Sequence, residues 1–143
     1  MRGLAAGLVL GLAALAGPAE AQSRNSLDGT WAFQSEPYGD EQFGVVMSGT
    51  AVITLAGQNR YDVRLLTNEL VIQRQTGRSQ LITARQTCTG DAAGGQFNIN
   101  CQMAEPLEGY EPDSFVLQQG ERDQMVGAFA SASSSQVTFT RMR

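Results

Sequence analysis

From Gly29 onward the chain alternates apolar and polar residues with a period of two, the pattern of strands with one buried and one wet face. Gly29–Phe33 sets Trp31 and Phe33 on one face, and a linker with Pro37, Tyr38 and Gly39 follows. In Gly44–Leu55, Ala51, Ile53 and Leu55 alternate with Thr50, Val52 and Thr54. Ala56–Asn59 reads as a hairpin turn into Tyr61–Leu66, where Tyr61, Val63 and Leu65 oppose Asp62 and Arg64. Glu69–Gln73 and Ser79–Thr87 form a second pair around Thr76-Gly77-Arg78. Gln86–Thr89 and Gln96–Met103 flank the glycine-rich loop Gly90–Gly95. Phe97, Ile99, Cys101 and Met103 there share one face. Ser114–Gln118, Gln124–Ala130 and Gln136–Arg141 complete the series, after an irregular Glu105–Asp113 broken by Pro106 and Pro112.

No segment carries a helical stripe of useful length, so the fold class is all-β. Short connections favour antiparallel pairing of sequence neighbours, a meander of roughly eight strands. Such a meander must dispose of two edges. Closure into a barrel removes them and suits this length, with a β-sandwich as the alternative. The predicted interior is Tyr61, Val63, Leu65, Phe97, Ile99, Phe115, Leu117 and Phe129, together with Val137 and Phe139.

Ahead of this pattern, residues 1–21 read as a cleaved signal peptide. Arg2 supplies a positive start, Leu4–Ala16 an apolar run too short to span a membrane, and Ala19-Glu20-Ala21 the small residues of a cleavage site. Pro18 stands where a lipoprotein signal would place cysteine, so no membrane anchor is expected. Residues 22–143 then form one domain, periplasmic or secreted, in a compartment that favours disulfides.

Asp28-Gly29-Thr30-Trp31 resembles the Gly-x-Trp signature that opens lipocalins, avidins and other calycin-type barrels. The resemblance covers roughly residues 27–142. It implies a lipocalin-like barrel with Trp31 packed across its closed end and Gly29 beside it. Small bacterial metalloprotease inhibitors with a lipocalin-like barrel and one disulfide are similar in size, export and architecture.

The net charge is −4, and losing Arg2 and Glu20 with the signal leaves it unchanged. That balance argues against nucleic acid and anionic membranes as partners. The chain has no His and no Lys, which removes the commonest general base, zinc-histidine sites and lysine chemistry. Cys88 and Cys101 lie on opposite arms of a predicted hairpin, and a structural disulfide is expected. A redox dithiol usually has Cys-x-x-Cys spacing near a helix start. Ser48 and the serines of 131–135 lack both a nucleophile elbow and a histidine.

The acids Glu105, Glu108, Glu111 and Asp113 lack the spacing of a calcium loop and read as a solvated loop, pinned by Tyr110. Paper pairings such as Glu69 with Glu36, or Asp62 with Asp113, carry little glycosidase signal. Arg60, Arg64, Arg74, Arg78 and Arg85 bunch in the middle third and read as exposed strand residues with local partners; the alternative is a basic side for an anionic partner. No catalytic residue, metal or cofactor is expected. The resulting expectation is a non-enzymatic exported binding protein that takes a protein partner at its rim loops or a small apolar ligand inside. Alternatives are an inhibitor of an exported protease and a structural envelope component.

Overall fold

A computed structural model describes residues 26–143. The predicted signal peptide lies outside the described residues. Nine strands follow one another: β1 (Gly29–Ser35), β2 (Tyr38–Gly39), β3 (Phe43–Gly57), β4 (Arg60–Gln73), β5 (Ser79–Ala93), β6 (Gln96–Met103), β7 (Ser114–Gln119), β8 (Gln124–Ala130) and β9 (Ser134–Arg141). Each long strand pairs antiparallel with its sequence neighbour, and β1 pairs with both β3 and β9. Eight strands thus close into a barrel, with β2 attached to β3 alone. The sandwich alternative is set aside, because β1 joins the first long hairpin to the last strand in one continuous ladder.

Two predicted breaks are absent. Tyr61–Leu66 and Glu69–Gln73 are one strand, β4, and Ser79–Thr87 runs on without interruption through Ala93 as β5. Polar Thr67 and Asn68 lie between the two predicted strands. In the barrel the alternation continues, and Thr67 is buried beside Leu65 in the same inward row.

The barrel is filled by its own side chains. Phe97, Ile99, Leu117 and Phe139 are fully buried, and Phe115 and Phe129 nearly so. Phe33 stacks on Phe139 with ring centroids 4.9 Å apart, and Phe115 meets Phe139 edge-on at 5.4 Å. Tyr61 packs edge-on against Phe97 at 5.5 Å. Glycines opposite these rings supply the space. A Cβ at Gly90 would lie 2.5 Å from Phe97 Cζ, and one at Gly49 would lie 2.7 Å from Phe33 Cζ. Large rings set against small residues are how a small barrel fills its taper.

Cys88 and Cys101 face each other across β5 and β6 and are joined by a disulfide.

Candidate functional site

The two ends of the barrel differ. At one end the lead-in chain folds under β1, and Trp31, 1% exposed, donates its indole Nε1–H to the carbonyl of Leu27 at 3.0 Å. The Leu27 N–H donates to Tyr61 Oη. Arg141 lays its guanidinium over the indole, 4.5 Å from the ring centroid, and donates Nε–H to Asp123 Oδ1 at 3.1 Å. Hydrogen bonding from Arg143, with the charges of Arg143 and Arg141, holds the Asp123 carboxyl below its usual range. These contacts tie the lead-in chain across the Trp31 end of the barrel.

The other end is built from polar residues on β4, β5 and the loop before β7. Asp113 is 1% exposed. Its Oδ2 accepts from Gln86 Nε2 at 2.6 Å and from the Tyr110 hydroxyl at 3.0 Å, and its backbone N–H donates to Gln86 Oε1 at 2.8 Å. Gln86 also donates to Thr67 Oγ1 at 3.1 Å. Asp113 Oδ1 has no protein partner. Burial pushes the Asp113 carboxyl above its ordinary value, against the hydrogen bonds from Gln86 and Tyr110. Nearby, the Tyr38 hydroxyl donates to Glu69 Oε1 at 3.1 Å while its ring packs edge-on against Phe129 at 5.1 Å. Burial raises Glu69 as well, and the charge of Asp113 adds to the rise. Both tyrosines are pushed well above the usual phenol value, first by burial and then by these carboxylates.

The structure thus associates Glu69 with Asp113 and joins neither Glu69 to Glu36 nor Asp62 to Asp113. The acidic segment also divides: Glu105, Glu108 and Glu111 are exposed, whereas Asp113 is the buried anchor of the loop. Chemically this cluster is a polar plug whose members bond to one another, with Asp113 Oδ1 alone among its buried side-chain oxygens left without a protein partner. Sequence reasoning missed Thr67 and Gln86. Their signal was a polar residue at an inward position in each of two otherwise alternating strands.

Beyond the plug, three strands project. The pairing of β1 with β3 ends at Ser48, and that of β6 with β5 begins at Gln86. Residues 43–47, 69–73 and 79–84 therefore pair only with one another and with β2. Val46, Leu70 and Leu81 lie in one row across the outer face of this ribbon. Leu70 is 39% and Leu81 61% exposed, and Ile72 beside them is exposed too.

Tyr61, Val63, Leu65, Phe97, Ile99, Phe115, Leu117 and Phe129 all belong to one buried core cluster. They pack on each other and on Phe33, Met47 and Phe139. Gly29 adopts φ +136° at the Trp31 end. Of the five bunched arginines, Arg60 lies 3.8 Å from Asp91. Arg74 Nε donates to the Asp40 carbonyl at 2.9 Å. Arg64, Arg78 and Arg85 make no ion pair among the described residues, so the local partners expected for them are missing. No helix among the described residues is long and apolar enough to cross a membrane, and no three His, Cys, Asp or Glu groups there converge as metal ligands.

The architecture is that of a small closed antiparallel barrel, consistent with the calycin-type resemblance in fold. No family model matches the chain, and no curated protein matches it significantly.

Proposed function

We propose that the chain is a non-enzymatic exported binding protein that engages a protein partner on the outside of a filled barrel, at the end carrying the projecting ribbon. The observation that supports this most is the contrast between inside and outside. Inward rings of Phe33, Phe97, Phe115, Phe129 and Phe139 occupy the space in which a lipocalin-like protein would hold a small apolar ligand. Apolar side chains that the core does not need are displayed instead on the outer face of β4 and β5, at Leu70, Ile72 and Leu81. Exposed apolar surface of this kind, rimmed by charge, is characteristic of interaction sites. The disulfide fits an oxidising compartment, in keeping with the signal read in residues 1–21.

Inhibition of an exported protease is one form such an activity would take. The test is photo-crosslinking. A benzoylphenylalanine replacing Leu70 should give a discrete protein adduct in envelope extract of the native cell, and one replacing Val116, exposed on β7, should not. Adducts at neither position, or equally at both, would contradict the assignment.

A further inference from the structure

The two edges of the projecting ribbon are treated differently. The β3 edge is covered: β2 pairs with Gly44 and Val45, and Ser35 Oγ accepts the Met47 N–H at 2.9 Å. The β5 edge is not. The last contact on that side is the Ala104 N–H donating to the Arg85 carbonyl at 2.9 Å, after which the chain leaves the sheet. Hydrogen bonds in an antiparallel ladder alternate from side to side. The hairpin closes with the Gln73 N–H on the Arg78 carbonyl, so Gln80, Ile82 and Ala84 face β4. Ser79, Leu81 and Thr83 consequently direct their N–H and C=O groups outward, in the column that β6 vacates.

Proteins normally blunt such an edge with a charge, a proline or a bulge. Ser79-Gln80-Leu81-Ile82-Thr83-Ala84 has no charged residue and no proline, and its pairing with β4 is unbroken. Arg78 and Arg85 flank it, both exposed and neither in an ion pair among the described residues. Tyr110 and Asp113 meanwhile fasten the acidic 105–112 loop over the barrel end.

We propose that the β5 edge over Ser79–Thr83 is a strand-addition site for an extended peptide segment with acidic residues flanking a β-prone stretch. This rests on the protein-binding reading above. Main-chain groups of Ser79, Leu81 and Thr83 supply the ladder, Arg78 and Arg85 take the flanking carboxylates, and the Val46–Leu70–Leu81 row continues onto the added strand. A second copy of this chain is a poorer occupant. Two β5 edges paired antiparallel about Leu81 would bring Arg78 of each within one position of Arg85 of the other, gathering like charges at both ends.

The probe is the peptide acetyl-Glu-Val-Thr-Val-Thr-Val-Glu-amide, compared with the same peptide carrying Arg at both ends. Amide NMR of the 15N-labelled oxidised protein should show shifts and slowed exchange at Ser79, Leu81 and Thr83 with the Glu peptide, with little change in exchange at Gln80 and Ile82. The Arg peptide should bind about tenfold or more weaker. Leu81→Pro removes one outward N–H and should weaken the Glu peptide by a similar factor. Replacing both flanking cations, Arg78→Glu with Arg85→Glu, leaves the edge intact and should reverse the preference between the peptides. Equal affinity for both, or shifts confined to other strands, would overturn the proposal. A dimer in sedimentation that Leu81→Pro dissolves would assign the edge to a second copy and overturn it too. Adducts at position 70 that survive Leu81→Pro would leave a protein partner in place but remove strand addition as its mode.

Discussion

Gln86 and Asp113 hold each other through two hydrogen bonds, side-chain amide to carboxylate and backbone N–H to side-chain carbonyl. The pair ties mid-β5 to the start of β7 across the barrel end. Gln86→Leu would keep the volume and leave both Asp113 groups short of a partner in a buried site. The expected loss is about 1–3 kcal/mol, read from urea unfolding. A neutral result would mean that water replaces the amide freely.

The same cluster sets a pH dependence. Burial raises Asp113 and Glu69 in the folded protein. Between the unfolded carboxyl value of about 4 and the raised folded values, the folded state holds more protons than the unfolded one. Their contribution to stability therefore falls as pH rises through that window and is flat above it. Exposed Asp40 and half-buried Asp123, lowered by hydrogen bonds from Phe43 and Gln42 and from Arg143, act in the opposite sense and lose their contribution as pH falls. Asp113→Asn should thus flatten the decline in stability above about pH 4. An unchanged slope would show that Asp113 does not titrate differently on unfolding.

Cys101→Ser should lower stability by about 2–4 kcal/mol, since the bridge limits the unfolded chain rather than taking part in chemistry. Partner crosslinking at position 70 should survive. Lost crosslinking with an unchanged melting temperature would point to a redox role.

Trp31→Ala should cost about 3–5 kcal/mol, the range for emptying a large aromatic site, and here it also strands Arg141 above a cavity. In the parent protein, fluorescence should be blue-shifted and resistant to iodide. Ready quenching would place Trp31 outside the closed end.

Alternation of Tyr61, Val63 and Leu65, and of Phe97 and Ile99, made the barrel wall legible, because a half-buried strand imposes that period on its sequence. The wall's polar stretch was harder. Thr67 and Gln86 look like surface residues in one dimension, and only the register of β4 against β5 brings them to Asp113. The unpaired β5 edge was equally hidden. Nothing in Ser79–Ala84 says that its neighbour β6 stops at Met103, since an edge is a property of the sheet and not of the strand.

The claim that binding lies outside a filled barrel is tested most directly by native mass spectrometry of protein purified from its native cells without detergent, alongside titration with an apolar fluorescent probe. The account predicts the mass of the bare oxidised chain and no saturable probe binding, with binding created only when Phe115→Ala opens the interior. A stoichiometric apolar molecule travelling with the parent protein would contradict it.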